Sequence, residues 1–511
     1  MISTVYIAKN IYGGDGLGRL GDGRVIFVPG AWAGEQVRAE IVEEKKHFVK
    51  ARLVEVVEPS AERIAPDPSR TVPGMVYSCL GYRGELEAKE QQLLEFFERA
   101  RVALPSDTRS LSLVPCPRIS DEADHLRKIP SKNLSVLSAE DNKRTTTSSP
   151  TAVQPSTSNL RPVLQPSTSD LQSVVSGGQS TNRRIDESTN SPALHYRNKV
   201  VYHFAKRRGN WVIGYLEEPS HEIVDVLEDP LARPEINAKI GEIRRAVVTL
   251  LTTGPVPVRK DIERKGKVTI RWTKKTGVKW WIGEAPSDLV LKETTAGLDF
   301  EVPAGGFYQV NPEVGEALVR EVVAGIAAQP TKKLLDLYCG VGVFGLCALK
   351  ALTAAKPSTS NLQSASQPSA SNLQPSLIGI ESGRQAIEFA KKNAASLKVE
   401  GAKFFAEEVG RNLRRIPVGP ETTVIVDPPR DGLEPGVAKW LAASRAPVIY
   451  YVSCDPATLM RDLKELAKAY EVERVRWFNM FPRTARFETL VVLKRKTSWS
   501  VSGMTPIVKV R

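Results

Sequence analysis

The stretch LLDLYCGVG at residues 334–342 reads as a buried strand with an acidic residue, Asp336, near its end and a glycine turn after it. Helix-forming residues follow the turn. Glycines suit such a turn because side chains would block the approach of a ligand to the backbone. This strand–turn–helix order indicates an α/β fold, although by itself the signal is weak.

Two further apolar stretches also end in acidic residues. Residues 377–381 predict a strand that ends in Glu381, where open α/β sheets bind a ribose diol. Residues 423–426 predict a strand that leads into DPPR at 427–430. The two prolines make this loop stiff, so Asp427 is held at the carboxyl edge of the sheet. The three strand ends together resemble the core of S-adenosylmethionine (SAM) methyltransferases.

Cys454 lies in YYVSCDPATL, residues 450–459, at the exit of an apolar strand and before a helix. Enzymes of the α/β class hold nucleophiles at such positions, although a lone cysteine there is more often a small buried hydrophobe. Glu488 ends FPRTARFE at 481–488 and, taken alone, would be interpreted as a solvated charge. Cys339 in the glycine turn and Cys347 on the apolar face of the next helix are interpreted as structural.

Several motifs, in this order, resemble those of the RNA 5-methyluridine (uracil-C5) methyltransferase family. They are FYQVN at 307–311, DLYCG at 336–340, DPPR at 427–430, SCDPATL at 453–459, and FP at 481–482 followed by Glu488. The resemblance covers most of the chain and implies an RNA (uracil-5-)-methyltransferase of the 23S ribosomal RNA branch. It implies an α/β, Rossmann-like SAM methyltransferase domain that follows a small OB-like β-barrel, the TRAM domain, and an α+β central domain.

The resemblance also implies the cofactor and the residues that bind it. SAM would be contacted by Gln309, Tyr338, Glu381 and Asp427. Many family members carry an asparagine where Val343 stands in this chain. Since valine cannot hydrogen-bond the adenosine, that contact is not transferred.

The chemistry of uracil explains the two catalytic residue types, because uracil C5 is a poor carbon nucleophile. Addition of the Cys454 thiolate to C6 would give an enolate that attacks the methyl sulfonium, and Glu488 would then remove the C5 proton as a general base. Arg430 or Arg461 could favour the thiolate. The base must leave its stack to reach a buried cysteine, so base flipping or a melted RNA loop is implied.

The amino-terminal segment, residues 1–58, alternates short apolar stretches with glycine turns. This pattern predicts a small β-barrel and resembles the RNA-binding TRAM domain. Lys45, Lys46, His47 and Lys50 would form part of a phosphate-facing surface, or merely a solvated face.

Family members with an iron–sulfur cluster place cysteines before a Tyr-x-x-x-Leu-x-x-Lys helix. Here Val72 and Met75 stand where thiolates are expected, and Asp229 precedes the Pro-Leu pair that another cysteine would precede. Cys79 alone cannot supply the four thiolates of a cluster. The sequence therefore predicts no iron–sulfur cluster and no other metal site.

The central region, residues 59–306, contains the helix around ELEAK at 85–89 and resumes at HYRNKVVYHF, residues 195–204. Arg197 and Lys199 could contact RNA, or could equally be surface or structural residues. The methyltransferase domain is predicted over residues 307–511.

Low-complexity insertions are predicted at about 118–192 and 355–376, where Ser/Thr/Pro repeats carry too little apolar surface to offset their ordering entropy. The second insertion would lie at the amino-terminal edge of the sheet, away from the cofactor. Function is therefore expected to tolerate both.

Composition agrees with an RNA-binding protein, because 511 residues allow several domains and a net charge of +13 favours a polyanionic partner. The sequence has no apolar run long enough to span a bilayer and no signal-peptide pattern. Five cysteines without such a signal indicate a reducing compartment, so the cytoplasm is expected. A monomer is expected because the chain would carry its own RNA-binding module.

Two other functions stay open at this point. A methyltransferase acting on another base position would need the DPPR loop but neither Cys454 nor Glu488. A non-catalytic RNA-binding or ribosome assembly factor would keep the barrel while its active-site residues drifted. Transfer RNA is the alternative substrate to ribosomal RNA.

Overall fold

The computed structural model describes residues 1–67, 71–105, 111–114, 193–217, 220–253, 265–354, 374–411, 413, 416 and 418–497. The predicted insertion at 118–192 lies outside the described residues, and so do residues 355–373 of the second insertion. Ser376, which the sequence assigned to the end of that insertion, begins a strand. The strand follows directly, so the carboxyl-terminal end of this insertion meets the sheet at its amino-terminal edge.

Residues 1–58 form a closed five-stranded barrel with the strand order β1-β2-β3-β5-β4. Its strands are β1 (Ile2–Asn10), β2 (Gly16–Arg19), β3 (Val25–Val28), β4 (Gln36–Glu44) and β5 (Phe48–Glu58). Alternate side chains point inward, so Val5 and Ile7 on β1 and Ile26 and Val28 on β3 are fully or almost fully buried. Closure pairs the sheet edges, which leaves the barrel with its own small core.

The central region contains an antiparallel sheet of five described strands, in the order β11-β10-β7-β8-β9. These strands are β7 (Lys199–Arg207), β8 (Asn210–Leu216), β9 (Ile223–Asp225), β10 (Lys265–Thr273) and β11 (Gly277–Ile282). Helix α2 (Pro234–Thr253) buries Ile236, Ile240, Ile243 and Val247, which recur at helical spacing, against this sheet. The sheet and helix together form the predicted α+β unit.

The carboxyl-terminal half is built on a sheet of eight described strands, in the order β16-β15-β14-β17-β18-β20-β19-β6. They are β6 (Leu111–Val114), β14 (Lys333–Leu337), β15 (Ser376–Glu381), β16 (Ala402–Ala406), β17 (Thr422–Val426), β18 (Val448–Ser453), β19 (Tyr470–Phe478) and β20 (Glu488–Arg495). Strands β14 to β18 run parallel, whereas β20 is antiparallel to both of its neighbours. The chain leaves β14 toward β15 on one side and reaches β17 on the other, and such a reversal opens a ligand crevice at the carboxyl ends of the strands.

Helices cover both faces of this sheet. They are α3 (Pro312–Ala327), α4 (Val343–Ala354), α5 (Arg384–Ser396), α6 (Val437–Ala443) and α7 (Pro456–Leu466), and a short 3₁₀ helix spans Val409–Arg411. Adjacent residues of β18 serve opposite faces, since Tyr450 packs in one hydrophobic cluster and Tyr451 in the other. Burial on both faces explains why the strands read as continuous apolar runs.

Two elements from the predicted central region belong structurally to the methyltransferase half. Helix α1 (Tyr82–Ala100) packs Leu86, Leu93 and Phe97 into the same cluster as Trp477 of β19. Strand β6 adds to the outer edge of the sheet by pairing in parallel with β19. Local sequence patterns predict a helix here, but they do not indicate the distant surface on which it packs.

A hairpin joins the central sheet to the methyltransferase sheet. Its strands are β12 (Val290–Thr295) and β13 (Leu298–Pro303), and Asn393 on α5 exchanges two hydrogen bonds with the backbone of Glu301. The hairpin therefore packs with the methyltransferase half, before the boundary at residue 307 that the sequence suggested.

Candidate active site

Cys454 follows the last residue of β18 and precedes α7. Asp455 caps that helix, its Oδ1 accepting hydrogen bonds from the backbone N–H groups of Ala457 (2.9 Å) and Thr458 (3.2 Å). Pro456 suits the first helical turn because it has no N–H to satisfy. The cap fixes the turn, so the half-buried Cys454 is held at the carboxyl edge of the sheet, as its sequence predicts.

Glu488 begins β20, the antiparallel neighbour of β18. The register pairs Ser453 with Thr489, so the next pair in the same register is Cys454 and Glu488. Glu488 is only 3% exposed, which excludes the interpretation as a solvated charge. Its Oε2 accepts no hydrogen bond from any part of the chain that the structure describes. The sheet thus sets a thiol opposite a buried carboxyl group with an unused oxygen.

The electrostatics of this pair favour the neutral forms of both groups. Burial, the Glu488 carboxylate and the Asp427 carboxylate raise the pKa of Cys454 to about 12, and the guanidinium of Arg430 acts in the opposite direction. Burial and Asp427 also raise the pKa of Glu488 well above its usual range. Once it is ionised, a carboxyl group whose pKa is raised binds a proton more strongly than an ordinary carboxylate does.

The structure separates the two arginines that the sequence offered as partners of the thiolate. Arg430 acts electrostatically on both Cys454 and Glu488. Arg461 instead donates to Asp462 Oδ1 (2.9 Å) and to the carbonyl of Leu433 (3.1 Å). Arg430 is therefore the cation of this site, and Arg461 is a structural residue of α7.

The turn after β14 has the conformation that a glycine turn requires. Tyr338 has φ of 64° and is followed by Gly340 and Gly342 with φ of 53° and 87°. A side chain at Gly340 would meet no atom within 4 Å, so this stretch of backbone borders open space. The backbone is thus accessible to a ligand at the carboxyl end of β14.

Acidic residues lie at the ends of three neighbouring strands. Asp336 on β14 is buried and accepts a hydrogen bond from the N–H of Gly345 (2.9 Å), and burial raises its pKa to about 8. Glu381 ends β15, where its Oε1 accepts from the N–H of Gly383 (2.7 Å). Asp427 follows β17, and burial raises its pKa to about 7. The three carboxyl groups lie along the crevice that the sheet topology creates.

Three of the four residues that the sequence associates with the cofactor lie around this crevice, in different elements. Tyr338, Glu381 and Asp427 follow or end the adjacent strands β14, β15 and β17. The hydroxyl of Tyr338 accepts a hydrogen bond from the N–H of Glu434 (3.4 Å). Gln309 lies in the loop before α3 and packs against Gly315, where an added Cβ would be 2.8 Å from the Gln309 Cβ.

These groups fit SAM. The open glycine turn leaves room for the amino-acid part of the cofactor, and Glu381 retains Oε2 as an acceptor for ribose hydroxyls. Val343 begins α4 and packs against the core, so it offers apolar contact only.

The positions discussed for an iron–sulfur cluster make other contacts. The indole N–H of Trp32 contacts Cys79 Sγ (2.7 Å), and Val72 and Met75 are buried in the core of the central region. Asp229 accepts hydrogen bonds from the hydroxyls of Tyr202 (2.8 Å) and Tyr215 (2.7 Å).

Cys339 and Cys347 are buried as expected, and burial raises the pKa of both thiols. No group of three or more metal-binding side chains occurs within the described ranges.

Comparison with known proteins identifies the domains of the chain. The family model described as tRNA (uracil-5-)-methyltransferase matches residues 289–496, and the TRAM domain model matches residues 4–54. The chain belongs to this RNA (uracil-5-)-methyltransferase family. The methyltransferase therefore acts on RNA and uses SAM as its cofactor, and its amino-terminal barrel is a TRAM domain.

Relatives of similar length are described as RNA methyltransferases, and a solved structure shares the fold. An uncharacterized RNA methyltransferase of Thermotoga maritima is 27% identical over 505 residues, which cover 96% of this chain and 99% of that protein. One from Thermosynechococcus vestitus is 24% identical and covers 94% of this chain and 95% of its own. The crystal structure of Pyrococcus abyssi tRNA (uracil-54, C5)-methyltransferase in complex with S-adenosyl-L-homocysteine matches with a TM-score of 0.60 and 20% identity, over 96% of this chain and all of that one. That likeness confirms the fold.

The basic residues suggested as RNA contacts differ in their surroundings. Arg197 of the methyltransferase donates to the hydroxyls of Tyr196 (3.2 Å) and Tyr215 (3.4 Å), which favours the structural alternative for this residue. Lys199 on β7 is half-buried, and burial lowers its pKa.

Lys45 and Lys50 are exposed on the barrel, but both pair with Glu43, at 2.9 and 3.0 Å. Lys46 and His47 are exposed between β4 and β5.

A buried polar network joins α1 to the loop that precedes Glu488, and the sequence does not predict it. Lys89 on α1 donates to Glu85 Oε1 (2.7 Å) and Asn479 Oδ1 (2.7 Å), and both oxygens of Glu85 accept from the N–H of Arg483 (3.0 Å). The network ties α1 to the loop between β19 and β20, and that loop leads to Glu488. The sequence shows both the Tyr-x-x-x-Leu-x-x-Lys helix and the FP motif. It does not show that these two segments contact each other.

No described helix is both long enough and apolar enough to cross a membrane.

Proposed function

We propose that this enzyme methylates C5 of a uridine in RNA, with Cys454 as the covalent nucleophile and Glu488 as the general base. The observation that carries the proposal is the register of β18 and β20, which sets these two residues opposite each other. A thiol and a carboxyl group in this relation can act on neighbouring ring atoms, C6 and C5. A methyltransferase for an exocyclic amine would need neither residue.

The first step is addition. The Cys454 thiol first loses its proton to solvent. The resulting thiolate forms a bond to C6 of uracil, and the electron pair of the C5=C6 bond moves onto the C4 carbonyl to give an enolate. The enolate makes C5 nucleophilic. SAM, when bound, would supply an electrophilic methyl group on a sulfonium. C5 would take this methyl group as the bond between sulfur and methyl breaks and S-adenosyl-L-homocysteine leaves.

The second step restores the aromatic ring. Glu488 takes the proton from C5, the C5=C6 bond reforms, and the bond between Cys454 and C6 breaks with release of the thiolate. Burial favours this role because a carboxylate with a raised pKa is a stronger base. Glu488 also has an oxygen that no described group uses.

The thiolate needs electrostatic support, since the pKa of Cys454 is raised to about 12. Arg430 supplies a positive charge from the DPPR loop, and the sulfonium charge of the bound cofactor adds to it.

The target uridine has to leave its stack, because Cys454 is half-buried at the edge of the sheet. The TRAM barrel and the net charge of +13 support an RNA substrate with a substantial phosphate surface. We propose ribosomal RNA, in the 23S branch of the family, as the substrate class, with transfer RNA as the alternative. A cytoplasmic monomer is the working form.

The test incubates the purified protein with methyl-labelled SAM and unmodified ribosomal or transfer RNA, followed by nucleoside digestion and mass spectrometry. Label in 5-methyluridine from the ribosomal pool, lost in Cys454→Ala and kept in Cys347→Ala, is the expected result. Cys347 is a matched control because it is a buried cysteine on α4 without a role in the reaction.

Other outcomes identify the alternatives. Label in 5-methyluridine from transfer RNA alone would correct the substrate and leave the mechanism intact. Label in another nucleoside, with Cys454→Ala still active, would refute the covalent mechanism. Tight RNA binding without label would refute the enzymatic role of the site and favour an assembly factor.

A further inference from the structure

The amino-terminal barrel reaches the methyltransferase site through the loop after β1. Gln92 on α1 donates to the carbonyl of Ile11 (3.1 Å), and Lys9 pairs with Glu95 of the same helix at 2.7 Å. These contacts fix the loop against α1, which itself packs on the methyltransferase sheet. Tyr12 follows Ile11 in this loop.

The ring of Tyr12 is held by two aromatic neighbours. It packs edge-on against Phe96 of α1, with ring centroids 5.5 Å apart, and against Phe487, at 6.0 Å. Phe487 directly precedes Glu488. Burial raises the pKa of Tyr12 to about 12, so the phenol remains protonated at neutral pH. The ionised form of Cys454 would add to this rise in the pKa of Tyr12.

Arg486 connects Tyr12 to the loop that carries Cys454. Its Nη1 donates to the Tyr12 hydroxyl (3.4 Å) and lies 3.5 Å from Asp455 Oδ2. Asp455 uses Oδ1 to cap α7, so Oδ2 is the oxygen left for Arg486. Arg486 thus joins the barrel, the residue after Cys454 and the strand that begins with Glu488.

We propose that Tyr12 of the TRAM barrel is a positioning residue of the methyltransferase site, acting through Arg486 and Asp455 on the Cys454 turn. The inference rests on the proposed roles of Cys454 and Glu488. It means that the RNA-binding barrel is part of the scaffold that aligns the nucleophile with the base. A displacement of the barrel would then alter the catalytic step itself, in addition to RNA affinity.

The hydroxyl and the ring of Tyr12 have separable functions. The ring packs between Phe96 and Phe487, and a phenylalanine would preserve that packing. The hydroxyl contacts Arg486, so its removal releases one anchor of the guanidinium. Tyr12→Phe should therefore leave folding intact and change the alignment of the turn.

The experiment compares Tyr12→Phe with Tyr6→Phe, a matched control at an exposed barrel tyrosine. Methyl transfer is measured with the RNA pool that the wild-type enzyme labels. We expect Tyr12→Phe to lower kcat about two- to tenfold, the loss typical of one hydrogen bond, with KM for RNA unchanged. Tyr6→Phe should leave both parameters unchanged.

A second measurement does not depend on RNA. Hydrogen exchange of the amides of Ala457 and Thr458, which Asp455 caps, is followed in both variants. Exchange should accelerate in Tyr12→Phe and stay unchanged in Tyr6→Phe, while the melting temperature and the affinity for S-adenosyl-L-homocysteine stay at wild-type values in both.

Unchanged kcat and unchanged exchange in Tyr12→Phe would overturn the inference. A parallel loss of kcat, melting temperature and S-adenosyl-L-homocysteine affinity would also overturn it, because it would indicate a merely structural tyrosine. Failure of the proposed function has a different signature, namely activity retained in Cys454→Ala. The exchange measurement remains valid in that case, since it reports the turn without the reaction.

Discussion

Cys454, the residue after β18, is the next position in register with Glu488, the first residue of the antiparallel strand β20, at the end of the sheet where the parallel strands open their ligand crevice. This relation needs the reversed strand β20. A parallel neighbour would begin at the opposite edge, and its first residue would lie far from the nucleophile. The antiparallel addition to the sheet is therefore what places a carboxyl group beside the thiol.

Replacement of the general base should separate addition from release. In Glu488→Gln, Cys454 can still add to C6 and C5 can still be methylated, but the C5 proton has no acceptor. We expect turnover to fall about 10²- to 10⁴-fold, as for the loss of general base catalysis, while a covalent protein–RNA adduct accumulates. The adduct is measured as a band of reduced mobility on a denaturing gel.

Glu421→Gln is the control for that experiment, because Glu421 is exposed and pairs with Lys332 away from the crevice. It should turn over normally and accumulate no adduct. Turnover in Glu488→Gln at the wild-type rate would remove Glu488 from the mechanism.

The cofactor site makes a prediction that requires no RNA. Within the described residues both hydrogen bonds of Glu381 use Oε1, so Oε2 can accept from ribose hydroxyls, and an amide in its place is a weaker acceptor. Glu381→Gln should weaken S-adenosyl-L-homocysteine binding about tenfold, measured by isothermal titration calorimetry. Glu388→Gln, on the exposed side of α5, should bind with wild-type affinity. Equal affinities for both variants would contradict the ribose role.

The sequence predicts the features of this enzyme that depend on local order. Asp336, Glu381 and Asp427 each follow an apolar run, and parallel strands bring their carboxyl ends to one edge. The position of Cys454 between a strand and a capped helix is equally local. The burial of Glu488 is not local, because it depends on the pairing of β20 with β18 and β19.

Contacts between distant segments could not be predicted in the same way. Lys89 and Asn479 are 390 positions apart, and Arg486 and Tyr12 are 474 apart. The resemblance to the family's Tyr-x-x-x-Leu-x-x-Lys helix implies that α1 is a helix, but this local pattern carries no information on which domain the helix contacts. The assignment of α1 to the central region followed from its place in the chain, whereas its core contacts are with the methyltransferase sheet.

The buried network on α1 should be essential for stability. Lys89→Met leaves Glu85 without its cation in a fully buried site, since both side chains are 0% exposed. Breaking such a pair typically costs about 3–5 kcal/mol, so the midpoint of urea unfolding followed by Trp fluorescence should fall strongly. Lys391→Met, on the exposed face of α5, should leave the midpoint unchanged. A double variant, Glu85→Leu with Lys89→Met, should recover part of the loss, because it leaves no isolated charge.

The stability of the fold should decrease as pH rises, and Asp336 is one identifiable source. Burial raises its pKa from 3.8 to about 8, so between these values the folded protein holds a proton that the unfolded chain has lost. The folded state is then favoured at low pH, and its advantage disappears as pH rises toward 8. Asp336→Asn removes this proton uptake but keeps an acceptor for the N–H of Gly345. The melting temperature of the variant should therefore change less between pH 6 and pH 8.5, conditions chosen to bracket the raised pKa of about 8.

The control for this pH series is Asp288→Asn, at an exposed aspartate, which should follow the wild-type melting curve at every pH. Asp427 and Glu488, whose pKa values are also raised by burial, titrate in all three proteins and give a common background. The difference between Asp336→Asn and the other two proteins therefore isolates one carboxyl group. An identical fall in melting temperature for all three would mean that Asp336 is already ionised in the folded protein. Asp336 Oδ1 has no hydrogen-bond partner among the described residues, so water would then have to reach the end of β14 and donate a hydrogen bond to it.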